Sequence, residues 1–569
     1  MTVEPPITED ITVLTEPPTD QQETVGIARA AVVIGAGNVA SRVLGLVREQ
    51  VKSYFFGTMA SADAFIVATL VPTMLHDLLI GGMVDSALVP VFSAYAKEDR
   101  DELWRLGSVL LSLTVVVMAV FILLVTLFAP QIVRAADLLG SGTLDPAFFD
   151  LAAGLMRITI PAVLFLSLSG ILSALLYALK RFTWPAFTAA VFNAGIVGMT
   201  LLLQSTLDIR AMAIGWLTGA ILQVGLLLPG LRGTRIWPTL RLYHPAIRQV
   251  LKLYLPIAIG LLAEIALVRP ISYGLALQTG EGGLSAMTYA TTLRQLPQGL
   301  VGIAISFAIL PTLSQHAADL GDAAFRRTLA RGLRLASLLI IPATVGLFVL
   351  GQPTVELLLE HGAFTAYDTQ ITTVALYFYL VGLPFAALDL LLVFAFYARQ
   401  DTLTPALIGI GSNVAMMIVA FALFEPLGLF SLMIADSFKQ LLHTAIAAYL
   451  LRRQVGGLAE HGVARTILIA LGCSAIMAVA VYAALAGVRA VLAPGILLEL
   501  TAVAVPGALG AGLYLWLVTR FGVEEFGLLW DAVRRRFTQT GGCSAARPSA
   551  YRTPHRTNFR PACCPRPPD

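Results

Sequence analysis

The feature that most constrains this chain is the recurrence, from residue 27 to residue 519, of apolar stretches long enough to cross about 30 Å of hydrocarbon. We count about fourteen: 27–52, 62–94, 104–130, 149–179, 184–204, 210–231, 249–278, 285–314, 329–351, 371–398, 403–424, 428–451, 465–488 and 494–519. Hydrocarbon offers backbone amides no water, so such stretches must satisfy their own hydrogen bonds as helices. The expected fold is an all-α polytopic membrane protein. Charged residues make up 13 % of the chain and the mean hydropathy is +0.80, whereas a soluble domain carries roughly 25 % charge. Four cysteines fall in neither a metal-ligand spacing nor a disulfide framework, so no metal is expected. Nucleic acid is not an expected partner.

The connections sort by charge. Counting from a cytoplasmic N-terminus, one side holds Lys52, Arg134, Arg210 and Arg489, and the other holds eighteen Lys and Arg, among them Lys97, Arg181, Arg232, Arg326 and Arg452. Positive charge accumulates on the cytoplasmic side, so both termini are expected there, which requires an even number of spans. Residues 1–24 are polar and Pro/Thr-rich, and residues 521–569 are basic and Pro/Arg-rich; both read as disordered cytoplasmic tails.

Between the tails the chain repeats itself. Tyr177-Ala178, Pro185-Ala186 and Asn193 recur as Tyr397-Ala398, Pro405-Ala406 and Asn413, each 220 residues on, and Pro72 recurs as Pro297 after 225. This divides the chain into a first lobe at 25–231 (spans one to six), a second at 232–452 (spans seven to twelve) and a final helix pair at 453–520. Six is even, so the lobes share one orientation, and substrate is expected between them near mid-membrane. Spans two and eight are long enough to kink at Pro72 and Pro297.

Several spans carry charge. Ser41-Arg42-Val43-Leu44-Gly45-Leu46-Val47-Arg48-Glu49 lies within the first, where each charge at a helix centre costs roughly 2.5–3.5 kcal/mol. At 100° per residue Arg42 and Glu49 share a face and Arg48 lies about 120° round. That face is expected to line a wet cavity, and paired guanidiniums suggest an anionic substrate. The alternative is that Arg48 snorkels to an interface and Arg42 merely pairs with Glu49. Glu264 and Arg269 occupy the corresponding helix of the second half, 222 residues after Arg42 in the case of Glu264. Thr291, Arg294, Gln295 and Gln298 form a polar stripe in span eight that reads as cavity lining. His76-Asp77 sits in span two, where a histidine could bridge helices, titrate, or bind phosphate when protonated. The glycines Gly81-Gly82 and Gly35-Ala36-Gly37 suit close helix packing. No P-loop, Ser/His/Asp set or HExxH pattern occurs, so no enzymatic activity is expected.

The first-span motif, with Phe56-Gly57, Ala62-Asp63-Ala64-Phe65, Val71-Pro72 and Ala87-Leu88-Val89-Pro90, resembles the MurJ (MviN) lipid II flippases of the multidrug/oligosaccharidyl-lipid/polysaccharide exporter superfamily. The likeness continues through Leu255-Pro256, Tyr289-Ala290, Leu296-Pro297, Gly299, Leu310-Pro311 and Thr404-Pro405, covering roughly residues 28–520. The resemblance implies fourteen helices, a central cationic cavity, and a final helix pair that forms a lipid-tail groove. It implies transfer of lipid II from the inner to the outer leaflet of the bacterial cytoplasmic membrane, by alternating access. Arg42, Arg48, Arg269, Arg294 and His76 would then hold the diphosphate. Glu49, Asp63, Asp77 and Glu264 would pair charges or gate, and Thr291, Gln295 and Gln298 would line the cavity. No cofactor is implied beyond coupling to membrane potential or a monovalent cation. Expected partners are lipid II, membrane lipids and cell-wall synthesis proteins. The chain departs from the family at three places: His76-Asp77 stands for an Arg pair, Ala290-Thr291-Thr292-Leu293 for Ala-Asp-Arg-Leu, and Met417 follows Asn413 where some relatives have Asp. The alternatives are export of another polyprenyl-diphosphate-linked oligosaccharide, and a transport-inactive scaffold for wall synthesis; a drug antiporter would call for an acidic cavity.

Overall fold

The computed structural model describes residues 20–78, 83–138, 145–237, 239, 243–318 and 322–521. Most of both expected tails, Gly81-Gly82, and Cys543, Cys563 and Cys564 lie outside these residues. Every regular element among them is helical. The first half comprises α1 (Asp20–Phe56), α2 (Ala60–His76), a π segment at Val84–Leu88, α3 (Val89–Glu98), α4 (Arg100–Leu138), α5 (Pro146–Thr159), α6 (Ala162–Ala178), α7 (Thr183–Ala186), α8 (Thr188–Leu207) and α9 (Ile209–Leu227). The second comprises α10 (Pro245–Ala263), a π segment at Glu264–Val268, α11 (Arg269–Gln278), α12 (Gly283–Pro297), a π segment at Gln298–Ile303, α13 (Ala304–Ala318), α14 (Asp322–Leu359), α15 (Ala366–Ala398), α16 (Leu403–Leu427) and α17 (Phe430–Val455). The chain closes with α18 (Val463–Val491) and α19 (Ile496–Arg520).

Among the described residues nine helices are long and apolar enough to cross a membrane. The helices outside that set include α1, α17 and those flanking the π segments, where the intramembrane charges collect. Two of the π segments have a local cause. Pro90 and Pro270 each come two residues after one (90 − 88 = 2; 270 − 268 = 2), and Pro297 immediately precedes the third. Proline has no amide to donate to residue i−4 and its ring crowds that carbonyl, so at Pro90 and Pro270, where that residue lies inside the π segment, widening the turn by one residue relieves both defects; the segment after Pro297 has no such cause. In span two α2 runs through Pro72 to His76, the helix widens into a π turn at Asp77 and Leu78, and a second π segment precedes Pro90.

The backbone repeats along with the sequence. Lys180 and Gln400 have φ of 58° and 62°, and Asp208 and Gly428 have φ of 51° and 53°, both pairs 220 apart (400 − 180 = 428 − 208 = 220). Each of the first pair closes a helix in the same way, with Arg181 N bonded to Leu176 O at 2.8 Å and Asp401 N to Phe396 O at 3.0 Å. Left-handed φ is costly for Lys and Gln, and both halves keep it to turn the chain into the next helix.

Packing inside each half relies on small residues, since lipid supplies no hydrophobic drive for helix association. A Cβ on Gly195 of α8 would lie 2.6 Å from Gly219 Cα of α9, so the two backbones touch. Gly195→Leu is expected to cost about 1–3 kcal/mol of stability, read as a lower unfolding temperature in detergent. Gly198→Leu, one turn on with open space around it, should leave that temperature unchanged.

Candidate functional site

The site is built around α1. Arg48 donates from Nη1 to Asn193 Oδ1 of α8 at 3.0 Å and from Nη2 to Glu49 Oε1 at 2.7 Å. Asn193 in turn donates to the carbonyls of Ala189, at 3.1 Å, and Ser41, at 3.4 Å. One turn on, Lys52 Nζ meets Glu49 Oε2 at 2.6 Å. Glu49 and Lys52 are both buried, and the Lys52 ammonium stands 4.2 Å from the Tyr289 ring centroid of α12. Tyr289 donates its hydroxyl to Gly57 O at 2.9 Å, so this charge cluster reaches across to the second half.

Arg42 is placed differently. Its guanidinium lies against Gly299 in the π segment Gln298–Ile303, where a Cβ would come within 2.7 Å of Nη2. Half-buried, it makes no hydrogen bond or ion pair among the described residues. The other candidate arginines are neutralised. Arg269 Nη1 donates to Asp77 Oδ2 at 2.7 Å, joining the second half to the first. Arg294 Nη1 donates to Asp436 of α17, and its guanidinium lies 4.7 Å from the Tyr379 ring centroid. Lys439 approaches the same carboxylate at 3.6 Å. Glu264, Arg269, Thr291, Arg294, Asp436 and Lys439 border a cavity of about 180 Å³ within the second half.

The end of the bundle where α1 meets α2 is shut. Asp63 of α2 accepts hydrogen bonds from Gly282 N at 2.9 Å, Ser285 N at 2.8 Å and Ser285 Oγ at 2.6 Å, which satisfies free amides at the start of α12. Thr58 Oγ1 donates to Asp368 Oδ1 at 2.5 Å, Ala60 N to Glu281 Oε1 at 2.9 Å, and Ala363 N to Tyr54 O at 2.8 Å. Every one of these contacts joins the first half to the second.

A family profile described as lipid II flippase MurJ matches residues 52–503. The chain belongs to that family. It is 32 % identical over 448 residues to the probable lipid II flippase MurJ of Haemophilus influenzae, covering 74 % of this chain and 84 % of the relative. It is 30 % identical over 449 residues to the Vibrio cholerae counterpart, covering 74 % and 82 %. Among solved structures, a lipid II flippase MurJ in an inward closed conformation superposes with a TM-score of 0.72 at 23 % identity, covering 86 % of this chain and 98 % of the other. An inward-facing MATE transporter of the MOP superfamily superposes with a TM-score of 0.62 at 13 % identity, covering 74 % and 96 %. These two likenesses concern the fold. The protein is therefore a multi-pass membrane protein of the lipid II flippase family, a family of transporters and not of enzymes.

Several residues stand elsewhere than helical spacing alone suggests. Glu49 meets Arg48 and Lys52, not Arg42, because the Arg48 side chain folds back along the helix onto its neighbour. Asp63 holds the α12 amides and no arginine. Asp77 meets Arg269, while His76 Nδ1 has no partner among the described residues. Glu264 is exposed in its π segment, whose wider turn shifts side-chain directions, and forms no ion pair among the described residues. Thr291 borders the second-half cavity with Arg294, whereas Gln295 is exposed. Sequence reading missed Lys52, Asp436 and Lys439 as charged members of the site. The signal for the first was its i,i+3 spacing from Glu49, which is that of a helical ion pair and not of a loop.

Proposed function

We propose that this chain carries lipid II from the inner to the outer leaflet of the bacterial cytoplasmic membrane by alternating access, with fourteen crossings and both termini cytoplasmic. The carrying observation is the contrast among its arginines: Arg48, Arg269 and Arg294 each face a carboxylate, while Arg42 faces the Gly299 backbone without a counter-charge. A diphosphate entering between the halves supplies the anion that Arg42 lacks, and its bidentate oxygens suit a guanidinium. Arg48 joins it when the halves rearrange and Glu49 is left to Lys52. Arg269 and His76, on facing elements, supply further positive charge once Asp77 is displaced. Membrane potential or a monovalent cation gradient gives direction. Cell-wall synthesis proteins are the expected partners on either side of the transfer.

Complementation of cells depleted of their lipid II flippase tests this reading. The native chain should rescue growth, and Arg42→Ala should reduce rescue at least tenfold in colony count at equal membrane abundance, as loss of one charge-assisted contact worth about 1.5–3 kcal/mol predicts. Failure of the native chain to rescue, although present in the membrane, would sink the reading. Rescue by Arg42→Ala at the native level would sink the assigned role of Arg42.

A further inference from the structure

On the face from which α1 sets out, described residues between α9 and α10 lie over the start of α4. Trp237 N donates to Ser108 Oγ at 3.2 Å and Thr239 N to Ser112 Oγ at 3.0 Å. Between them lies a pocket of about 430 Å³ whose walls include Asp101, Trp104, Arg105, Arg235, Trp237 and Tyr243. Arg105 is shared with Glu102, at 2.6 Å, and Glu102 also takes His244 at 3.0 Å. Arg235 and Asp101 form no ion pair among the described residues. Trp237 and Tyr243 are 75 % and 79 % exposed, a large aromatic surface to leave uncovered in a chain that elsewhere exposes apolar groups to lipid.

The position of the pocket says what covers it. Trp104, Ser108 and Ser112 lie on one face of α4, and Val115, Val116 and Leu123 continue that face within about 120°. Those three are 42 %, 47 % and 59 % exposed, a stripe fit for hydrocarbon. Val115 is seven residues beyond Ser108 (115 − 108 = 7), or about 10 Å at 1.5 Å per residue, so the pocket stands at headgroup height directly above a lipid-facing helix. Its chemistry is mixed: two guanidiniums, one free carboxylate, and ring faces that attract cations.

We propose that this pocket seats the headgroup of a membrane phospholipid that carries both a phosphodiester and a primary ammonium, a phosphatidylethanolamine. The phosphate meets Arg105 and Arg235, the ammonium meets Asp101 and the indole faces, and the acyl chains run down the Val115–Leu123 stripe. A purely anionic headgroup would meet the same two guanidiniums through its phosphate but would bring no cation to Asp101 and the ring faces. The bound lipid holds Arg235, Trp237 and Tyr243 of the connection between the two halves against α4 at the membrane surface.

Native mass spectrometry of the full-length chain, delipidated in detergent and titrated with phosphatidylethanolamine or phosphatidylglycerol, tests the assignment. Phosphatidylethanolamine should be retained at about fivefold lower concentration than phosphatidylglycerol, the scale of one partly exposed charge contact. Arg235→Gln should weaken phosphatidylethanolamine retention by a similar factor, and Asp101→Asn should erase the preference between the two lipids. Equal retention of both lipids by the native chain overturns the proposal, as does unchanged retention by Arg235→Gln. Both side chains are at the surface, so neither substitution threatens the fold.

Discussion

Glu49→Gln is expected to lower the stability of the protein in detergent or nanodiscs by roughly 3–5 kcal/mol, the scale observed when one partner of a buried ion pair is removed. Glu49 is 3 % exposed and Lys52 2 % exposed, and the carboxylate lies 2.7 Å from Arg48 and 2.6 Å from Lys52. Without it, Arg48 retains Asn193 at 3.0 Å, but Lys52 loses its ion-pair partner and keeps the face of Tyr289, a neutral amide oxygen and a more distant Asp63. A desolvated cation over an aromatic ring gains about 2 kcal/mol, less than the several kcal/mol that burying it costs. Adding Lys52→Met removes the stranded charge while filling a similar volume, so the double variant should recover most of the loss. The reading is measured as unfolding temperature for the two single variants and the double. A Glu49→Gln protein as stable as the native one would mean that the cluster contributes no net stability. A double variant no better than the single would place the cost in Arg48.

The same cluster marks how far the sequence could be read. Helicity, the 220-residue repeat and the polar character of α1 follow from composition and spacing, because membrane helices must satisfy their own backbones and a charge there demands a partner. The identity of that partner was not legible. Arg48 reaches Asn193, whose importance in the sequence was only its recurrence as Asn413, and Arg294 reaches Asp436, which lies 142 residues away on α17. Neither pairing leaves a periodic trace. Lys52 was misplaced because a charge at the end of an apolar run resembles a loop residue, whereas α1 continues to Phe56 and buries it. Span two shows the limit for proline: the helix widens at Asp77 and Leu78, a few residues after Pro72, and again just before Pro90, so the prolines marked that the span is irregular but not how many turns widen.

Cross-linking Tyr54→Cys to Ala363→Cys is expected to abolish rescue of flippase-depleted cells, with recovery on reduction. The host chain would carry serine in place of Cys473, Cys543, Cys563 and Cys564. Ala363 N lies 2.8 Å from Tyr54 O, and a Cβ on the adjoining Gly362 would come within 2.2 Å of the same oxygen. Backbones bonded this closely place their Cα atoms about 5–6 Å apart, within the span of a disulfide. The bond would fix the shut end that Asp63, Thr58, Ala60 and Tyr289 also hold together. The bonds that end on Asp63, Asp368 and Glu281 contribute about 1.5–3 kcal/mol each and the neutral Tyr289–Gly57 bond about 0.5–1.5, but all are non-covalent and can break and reform as water takes over the freed groups. A covalent bond cannot. If substrate leaves through this end, locking it removes the second state that alternating access requires, while the unlocked, reduced protein cycles as before. Full rescue by a chain that is completely cross-linked in the membrane would mean this end never opens, and the path of the lipid-linked sugar would have to lie along the outside of the bundle.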